Sequence, residues 1–385
     1  MKLPRFVGLL GLALAGAIVA PGTALAAPGS SHHASGVVGH VYVNDNTAGE
    51  NTIAAFDRHA DGTLTPTPGS PFAAGGPGTG SGIGSQGALQ QSADGRYLLA
   101  VDAGSGQISV LRIAPDGALS PVGEPVSSGG AEPVSIAVHG GLVYVANGGA
   151  GQNNYTGFTL NAGGHLRALA GSTVELPEGS EPGDVLFNGS GSNLVGARIK
   201  TSLIDSFAVG DDGRLTAAPG SPFAAQGPGP FGSEFRPTNP AQLFVSNAHG
   251  GPGAGSVSAF SVAGDGTLSS IGPSPFADKE TAPCWVEISH DGRFLFTTNT
   301  ASGSVSRYAI TDGGSLELLG STAFKSAGSG PLDARLGPDG ATLFVVESGT
   351  HSVGGFAVDG GDLTELSSSP TLLPAGSAPF GIAVT

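Results

Sequence analysis

The chain repeats one unit seven times, with a period of about 48 residues late in the sequence. An aromatic residue marks the same place in successive units at Phe260, Tyr308 and Phe356, which are 48 residues apart. The earlier units carry this place at Phe56, Leu111, Phe158 and Phe207. Periods of roughly 40 to 50 residues with several short strands in each unit are typical of a β-propeller, whose sheets, called blades, pack around a central channel.

The best-preserved unit spans residues 283–331. It contains four runs with the composition and length of short strands, CWVEIS, FLFTTN, SVSRYAI and LELLGSTAF, separated by turn residues. The turn before the fourth run is Asp-Gly in six units and Gly-Gly in one, and it begins at Asp61, Asp116, Gly163, Asp212, Asp265, Asp312 and Asp359. Glycine supplies the positive φ that a tight hairpin turn requires. The sequence therefore predicts an all-β fold of seven four-stranded antiparallel blades.

The two ends of the repeat array predict how the ring closes. The first unit begins at residues 37–43, which match the second strand of the other units, and no first strand precedes them. The missing strand appears at the other end of the array, at residues 380–384. A C-terminal strand that pairs into the first blade would close the ring and remove an open sheet edge. We therefore expect the propeller to span residues 37–385.

Residues 1–26 have the pattern of a secretory signal peptide. Lys2 and Arg5 precede an apolar run over residues 6–20, and Ala24-Leu25-Ala26 offers a cleavage site with small residues. An uncleaved N-terminal anchor is the alternative interpretation. Residues 27–36 are predicted to form a flexible tail. No other stretch approaches about 18 consecutive apolar residues, so we expect a secreted or extracytoplasmic protein without membrane attachment after cleavage.

Composition limits the classes of partner and the sources of stability. The single cysteine, Cys284, excludes an intramolecular disulfide, so stability must come from the closed ring of packed sheets. The formal net charge of −15 disfavours nucleic acid and anionic lipid as partners. A closed ring hides its sheet edges, and we therefore expect a monomer.

Charged residues occupy alternate positions on four of the predicted innermost strands, those of blades 4 to 7. These residues are Asp184, Glu234, Glu287, Asp333 and Arg335. Charges beside the channel are costly unless they are paired, wetted or bound to a ligand. One interpretation is structural, with Arg335 paired to Glu287 or Asp333. The other is a polar site that grips or hydrolyses a small polar ligand, with Glu234, Glu287 and Arg335 as candidate catalytic residues and Asp184 and Asp333 as candidate ligand contacts.

A second set of polar residues lies where the second strand of each blade ends, on the face that carries the connections between blades. Its members are Asp45, Asp102, Asn147, Arg198, Asn247, Asn299 and Glu347. Asn and Asp usually cap their own turn here, whereas Arg198 and Glu347 are not natural turn caps and are better ligand-binding candidates. His249 and His351 lie in loops that we expect on the same face, and we include them among these candidates.

Several other kinds of site are not supported by the pattern. The histidines have neither the order of a Ser-His-Asp triad nor the spacing of a metal site. Channel carboxylates and asparagines are suitable ligands for Ca²⁺, but nothing in the sequence selects it, and no cofactor is predicted. The glycine-rich run from Gly75 to Gly87 lacks the strand-to-helix context of a phosphate-binding loop.

Over essentially its whole predicted mature length, the chain resembles the seven-bladed lactonase family, with its 6-phosphogluconolactonase-like and carboxymuconate-cyclising members and YVTN-type repeats. The resemblance is carried by SADGRYLLAVDAGSGQISVLRIAPDGAL, SHDGRFLFTTNTASGSVSRYAITDGGSL and GPDGATLFVVESGTHSVGGFAVDGGDL. It implies a propeller that hydrolyses or isomerises a small lactone.

Motifs that the resemblance associates with activity are only partly matched. The family pattern Gly-Pro-Arg-His corresponds here to Gly330-Pro331-Leu332-Asp333, followed later by Glu347. A second pattern, Asp-Leu-Gly after a strand, is matched by Asp102 and Gly104, which makes Asp102 a candidate ligand contact. Two functions therefore stay open. The first is a secreted lactonase-type enzyme acting on a small lactone or sugar acid, and the second is a non-catalytic extracytoplasmic propeller that binds a small ligand, a glycan or a protein.

Overall fold

The computed structural model describes residues 36–385. The predicted signal peptide at 1–26 and all but the last residue of the tail at 27–36 lie outside the described residues. Within the described range every regular element is a β-strand, and these strands form seven antiparallel sheets arranged in a ring. No helix in this range is long and apolar enough to span a membrane. The predicted all-β, seven-bladed propeller is confirmed.

Each blade has four main strands, numbered outward from the channel as inner, second, third and outer. In the order of blades 1 to 7, the inner strands are Phe380–Val384, Leu89–Gln91, Pro133–His139, Pro182–Phe187, Pro230–Arg236, Pro283–Ile288 and Pro331–Leu336. The second strands are Val37–Asn44, Tyr97–Asp102, Leu142–Asn147, Asn193–Arg198, Asn239–Asn247, Phe294–Asn299 and Thr342–Glu347.

The third strands are Thr52–His59, Gln107–Ile113, Asn154–Leu160, Leu203–Val209, Ser256–Val262, Ser304–Ile310 and Ser352–Asp359. The outer strands are Leu64–Pro66, Leu119–Pro121, Leu166–Ala168, Leu215–Ala217, Leu268–Ser270, Leu316–Ala323 and Asp362–Glu365. In every blade except blade 6, a two-residue strand follows and also pairs with the third strand, at Phe72–Ala73, Val126–Ser127, Val174–Glu175, Phe223–Ala224, Phe276–Ala277 and Thr371–Leu372.

The ring closes as the sequence predicts. The strand Phe380–Val384 pairs antiparallel with Val37–Asn44, and the register places Ile382 opposite Val43 and Val384 opposite Val41. Ile382 is buried in a hydrophobic cluster between blades 1 and 7. The C-terminal strand is therefore the inner strand of blade 1.

The repeated aromatic position of the third strand lies in the core between blades. Its residues are all buried, namely Phe56, Leu111, Phe158, Phe207, Phe260, Tyr308 and Phe356. Large apolar side chains packed between neighbouring sheets supply most of the stabilisation that a propeller without disulfides requires.

The two faces of the ring are defined by the direction of the inner strands. Inner strands begin where second strands end, as the pairing of Pro331 with Glu347 shows, and we call this side the loop face. Inner strands end on the opposite side, where Leu336 pairs with Leu343, and we call it the turn face. Positions along an inner strand can therefore be ordered by their depth between the two faces.

Candidate functional site

Glu234, Glu287 and Arg335 occupy equivalent positions on the inner strands of blades 5, 6 and 7. Each lies opposite a phenylalanine of its own second strand, and these partners are Phe244, Phe296 and Phe344. Because the three inner strands are neighbours around the channel, the shared register brings the three side chains together. We call Glu234, Glu287, Arg335 and the adjacent Trp285 the channel cluster.

Glu287 is held by three donors. Arg335 Nη1 lies 3.2 Å from Glu287 Oε2, and Trp285 Nε1 donates to the same oxygen at 3.3 Å. The backbone N–H of Leu336 donates to Glu287 Oε1 at 2.9 Å. Glu287 is only 3% exposed, so these bonds replace the water that a carboxylate would otherwise bind. The geometry thus includes the Arg335–Glu287 pair that the structural interpretation of the sequence expects.

Arg335 also packs on an aromatic ring. Its guanidinium carbon lies 5.0 Å from the centre of the Trp285 ring, within the range of a cation–π interaction. The arginine side chain remains 28% exposed, and Glu287 is the one acceptor recorded for its guanidinium among residues 36–385. Arginine has five N–H donors, so most of those of Arg335 make no hydrogen bond to the described residues.

Glu234 is the member of the cluster that lacks a full set of partners. The backbone N–H of Ile288 bonds to its carboxyl group, but Oε2 has no hydrogen-bond partner within the described residues and no contact with solvent. Burial raises the pKa of Glu234 well above its ordinary value, and the neighbouring Glu287 charge raises it further, against a smaller opposing effect of Arg335. The Glu234 carboxyl therefore keeps its proton to a higher pH than a free glutamate.

Asp184 and Asp333 lie on the same face of their inner strands as the channel cluster, but two residues nearer the loop face. They link neighbouring inner strands. Asp333 accepts the backbone N–H groups of Gly87 at 2.9 Å and Gly381 at 3.0 Å. Asp184 accepts the backbone N–H of Ser233 at 2.8 Å and also the hydroxyl of that serine. Burial raises the pKa of Asp184 to about 7 and that of Asp333 to about 6. Both residues are occupied by contacts that hold blades together.

Solvent reaches the channel cluster from the turn face. The channel-facing residues at the depth of Asp333 are all buried, and they include Ser135, Asp184, Gly232, Trp285 and Gly381. Two residues further along the inner strands, toward the turn face, four channel-facing residues are only half-buried. They are Gln90, Leu186, Glu234 and Arg335. The channel cluster therefore lies at the partly exposed, turn-face end of the channel, whereas the sequence suggests ligand-facing loops on the loop face.

The loop face is covered at the channel by the connection from blade 1 to blade 2, residues 74–88. Ser85 Oγ donates to the Val134 carbonyl of blade 3 at 2.6 Å, and the Gln86 N–H donates to the Gly183 carbonyl of blade 4 at 2.9 Å. With the bond from Gly87 to Asp333 of blade 7, these contacts place residues 74–88, which we call the strap, across the channel mouth. The equivalent connection after blade 2 comprises only residues 128–132.

Arg198 serves its own blade. Its Nε and Nη2 donate to the two carboxylate oxygens of Asp205 at 2.6 and 2.5 Å, and Tyr155 from blade 3 donates its hydroxyl to Asp205 at 3.0 Å. Arg198 and Asp205 are both buried. A bidentate ion pair inside the sheet leaves Arg198 apart from the channel cluster. Its role as a ligand contact stays a prediction.

The carboxylates of the second polar set bond to residues close to them in the sheets. Asp102 accepts the Ser109 hydroxyl of its own blade at 2.5 Å and the side-chain N–H of Asn51 in blade 1 at 2.9 Å, and Asp45 accepts the Thr52 hydroxyl at 2.8 Å. Glu347 accepts the Thr350 hydroxyl at 3.1 Å, and burial raises its pKa to about 7. These side chains do not converge with the channel cluster. The proposed ligand contacts of Asp102 and Glu347 therefore remain predictions without a shared site.

His249 and His351 are exposed on the loop face. His249 follows the second strand of blade 5 and its ring lies beside Gly229, whereas His351 lies in the turn between the second and third strands of blade 7. The strap separates this face from the channel cluster, so neither histidine joins it. Among residues 36–385 there is no group of three or more His, Cys, Asp or Glu side chains arranged to hold a metal ion.

One channel residue is not predicted from the sequence. Gln86, in the strap, is fully buried, and a Cβ added to Gly232 of blade 5 would lie 3.0 Å from its Oε1. Neither amide atom of Gln86 has a partner within the described residues. The available signal was the length of the glycine-rich run between Gly75 and Gly87, which the other connections lack.

Comparison with known proteins defines the class. The family model described as "Lactonase, 7-bladed beta-propeller" matches residues 235–383, which form most of blade 5 and all of blades 6 and 7 together with the closing strand. The chain is a seven-bladed β-propeller whose residues 235–383 are similar to this family model. None of the curated proteins is similar enough in sequence to count as a match.

Solved structures agree with this class. A candidate 6-phosphogluconolactonase from Bacteroides fragilis superposes with a TM-score of 0.73 at 20% identity, covering 92% of this chain and 99% of that one. A candidate 6-phosphogluconolactonase from Bacteroides uniformis also gives 0.73, at 18% identity, with coverages of 90% and 99%. The periplasmic gluconolactonase PpgL of Pseudomonas aeruginosa gives 0.70 at 16% identity, with coverages of 90% and 98%. The resemblance to 6-phosphogluconolactonase-like propellers is confirmed, and at these identities it concerns the fold.

The positions that correspond to the family's Arg-His pair are structural in this chain. Leu332 packs in a hydrophobic cluster with Ile83 of the strap and Phe380 of blade 1. Asp333 is fully buried and bonds the backbone of two other blades. Both positions therefore take part in contacts that join the strap and neighbouring blades.

Proposed function

We propose that this propeller hydrolyses a small lactone at the turn-face end of the channel, with Glu234 as the acid–base residue and Arg335 as the oxyanion donor. The observation that carries the proposal is the unpartnered Oε2 of Glu234 beside the Glu287–Arg335 pair. A buried polar atom without a partner costs free energy, and a ligand that supplies one recovers it. The similarity in fold to lactonase propellers supports the same reaction class.

The reaction adds water across the ring ester. Water attacks the acyl carbon, the bond between that carbon and the ring oxygen breaks, and the ring oxygen receives a proton to become a hydroxyl group. The product hydroxy acid then loses a proton to solvent. Hydrolysis therefore needs a group that moves a proton near the ring oxygen and a donor for the charge that develops on the carbonyl oxygen.

The three charged side chains of the channel cluster are suited to different parts of this reaction. Because burial raises its pKa, the Glu234 carboxyl retains its proton to a higher pH than a free glutamate, and this proton can be donated to the leaving ring oxygen. Arg335 presents N–H donors that its single contact with Glu287 does not use. Glu287 has no free oxygen, because three donors occupy it. We therefore assign Glu287 to positioning Arg335 and not to proton transfer.

Acid release from D-glucono-1,5-lactone in a pH-stat, above the uncatalysed rate, tests the proposal. Glu234→Gln should lower kcat/KM by about 100-fold or more, the usual contribution of a general acid. Arg335→Met should lower it by a similar factor, as loss of an oxyanion donor does. Glu317→Gln, an exposed change on the outer strand of blade 6, is the matched control and should leave the rate unchanged. Full activity of Glu234→Gln would contradict the assignment.

A second function is supported by the structural use of Leu332 and Asp333. If the propeller binds its ligand without chemistry, it is a non-catalytic propeller that recognises a small ligand, a glycan or a protein. Calorimetric binding of a lactone or a sugar acid without acid release would favour this alternative. Acid release that depends on Glu234 would exclude it.

We also propose that the protein acts outside the cytoplasm as a monomer, without a resident cofactor and without nucleic acid or membrane as partner. The support is the sequence pattern of residues 1–26, the net charge of −15 and the closed ring. Cell fractionation with N-terminal sequencing of the mature chain tests the location. An intact residue 1 in the cytoplasmic fraction would contradict it.

A further inference from the structure

The outer strand of blade 6 differs from the outer strands of the other six blades. It runs without a break over eight residues, Leu316–Ala323, whereas the others have three or four residues. In the other blades a turn follows, and a separate two-residue strand completes the pairing with the third strand. Proline occurs in that turn in five of the six blades, but residues 316–323 contain none. We call residues 316–323 the blade 6 edge.

A long edge strand without proline is a place where another chain can add a strand. Short edge strands and prolines prevent this in many β-proteins, and the other six blades have one or both. The blade 6 edge has one irregularity. Its register shifts between Leu318 and Gly320, so Leu319 has no partner in the third strand. This bulge bends the edge but does not cover it, and the Leu319 side chain is 44% exposed.

The hydrogen bonds at the loop-face end of the edge show which backbone groups point outward. The Phe324 N–H donates to the Gly303 carbonyl at 3.0 Å, so the backbone of Phe324 faces the third strand. Backbone groups alternate in direction along an antiparallel strand, so those of Ala323 and Ser321 point away from the sheet.

The turn-face end of the edge gives the same result. The Ser315 carbonyl accepts the Thr311 N–H at 2.9 Å, so the backbone of Ser315 faces the third strand. By the same alternation, the backbone groups of Leu316 and Leu318 point outward. Among residues 36–385 the edge pairs with no strand other than the third strand of its own blade. Both halves of the edge therefore present N–H and C=O groups that another strand can bond.

Carboxylates lie at both ends of this edge. Asp312 is exposed in the turn that precedes it, and Glu280 accepts the Ser321 hydroxyl at 2.5 Å. Neither carboxylate forms an ion pair within the described residues. The edge itself contains no lysine or arginine. Of the cations next to it in the chain, Lys325 bonds the Leu366 carbonyl at 2.6 Å, which leaves Lys279 as the one without a recorded bond.

These features fit one kind of partner. A row of outward N–H and C=O groups bonds an extended backbone, whereas a helix has already bonded its own backbone groups. The carboxylates at both ends favour basic side chains on that backbone. A second copy of this chain fits poorly, because each copy has a net charge of −15 and pairing the two edges would bring like charges together.

We propose that the blade 6 edge binds an extended, basic peptide segment of a partner protein, which adds to the four-stranded sheet of blade 6 as a fifth strand. The backbone of the peptide pairs with the outward groups of the edge, an apolar side chain packs beside Leu319, and basic side chains lie near Asp312 and Glu280. This surface is on the outer rim of the ring, so the inference does not depend on the proposed hydrolysis in the channel.

Fluorescence anisotropy with the full chain and a fluorescein-labelled probe, the peptide Val-Lys-Val-Thr-Val-Lys-Val, tests the inference. Leu319→Lys should weaken binding at least about tenfold, because it replaces an apolar contact with a charge that repels the probe. Leu372→Lys adds the same charge in blade 7, at a residue that is 73% exposed, and is the matched control that should bind like the wild type. Glu280→Lys, a second variant, should weaken binding at least about fivefold.

Two modified probes separate strand addition from simple charge attraction. One carries N-methyl groups at the odd residues of the peptide and the other at the even residues. Only one of these sets of N–H groups faces the edge, so one probe should bind at least about tenfold more weakly than the other. Hydrogen exchange of the wild type should also show that the unmodified probe slows the exchange of the Leu318 and Ser321 amides.

Four outcomes would overturn the inference. They are no binding of the probe by the wild type, equal binding by Leu319→Lys, equal affinities for the two methylated probes, and a concentration-dependent dimer of the wild type that Leu319→Lys abolishes in sedimentation equilibrium. The last outcome would assign the edge to a second copy of the chain. The melting temperature of Leu319→Lys should match that of the wild type, since the side chain is already half in solvent.

Discussion

Trp285 donates its ring N–H to Glu287 Oε2, two residues along the same inner strand, at 3.3 Å. The same ring supports the Arg335 guanidinium of the next blade, so one side chain orients both charged partners. Trp285→Phe removes the donor and weakens the cation–π contact, and we expect kcat/KM for the lactone to fall about tenfold. Tyr308→Phe is the control in the same blade and should keep full activity, because the Tyr308 hydroxyl is buried and has no hydrogen-bond partner within residues 36–385.

Loss of Arg335 should destabilise the chain because it leaves a buried carboxylate unpaired. Arg335→Met is expected to lower the free energy of unfolding by about 2–4 kcal/mol, measured by urea denaturation. Adding Glu287→Gln to the same chain should recover part of this loss, because the charge that needed a partner is then gone. Lys200→Met breaks the exposed pair with Glu181 and should cost less than about 1 kcal/mol. Equal effects at the two sites would contradict the burial argument.

Stability should decrease as the pH rises from about 4 to about 7. Burial raises the pKa of Asp45, Asp184 and Glu347 to about 7 and that of Asp333 to about 6. When a carboxyl group has a higher pKa in the folded chain than in the unfolded chain, the folded chain binds more protons. The resulting stabilisation is complete below about pH 4, and it is lost as the pH rises from there to the pKa of the group in the folded chain.

The pH effect has a direct measurement and a control. The melting temperature should be higher at pH 5 than at pH 8 by at least about 5 °C. Asp45→Asn should reduce this difference, since an amide cannot titrate. The exposed Asp94 and Asp291, whose pKa values are lowered to about 2 by hydrogen bonds to neighbouring side chains and backbone, act below pH 4 and do not enter this window. A flat or rising melting temperature from pH 5 to pH 8 would refute the prediction.

Ring closure should carry a large share of the stability. Ile382 is 1% exposed and pairs into blade 1, so Ile382→Ala is expected to cost about 2–4 kcal/mol in urea denaturation. Leu372→Ala, at a residue that is 73% exposed, should change stability by less than about 0.5 kcal/mol. If both variants behaved alike, the closing strand would be a minor contributor.

The repeat pattern was sufficient to predict the blades. Strand positions in the unit at residues 283–331 agree with Pro283–Ile288, Phe294–Asn299, Ser304–Ile310 and Leu316–Ala323. Local signals determine these strands, because the alternation of apolar and polar residues and the Asp-Gly turns each depend on only a few neighbouring residues. The closing strand was predictable as well, since an incomplete first unit requires a partner. The two-residue strands after the outer strands were not predicted, because two residues carry no periodicity.

The sequence predicted the candidate site only for the residues whose positions are set by the register of the inner strands. Glu234, Glu287 and Arg335 share a position in the repeat, so their convergence followed from the alignment of units. Arg198 is different, because its partner Asp205 lies across the hairpin of the same blade and satisfies it there. Gln86 could not be placed from sequence, since the path of the strap depends on contacts with blades 3, 4 and 7. Which face of the ring a ligand would approach also depends on the path of the strap, which the sequence does not show.

The strand that completes blade 1 has a consequence for biosynthesis. Residues 37–44 leave the ribosome early, but their partner at residues 380–384 follows after every other strand of the ring has been translated. Contacts of such sequence separation form slowly, and the edge of the first sheet stays unprotected until then. The nascent chain therefore cannot reach its native topology during elongation, and a chaperone that shields edge strands would act mainly on this first sheet.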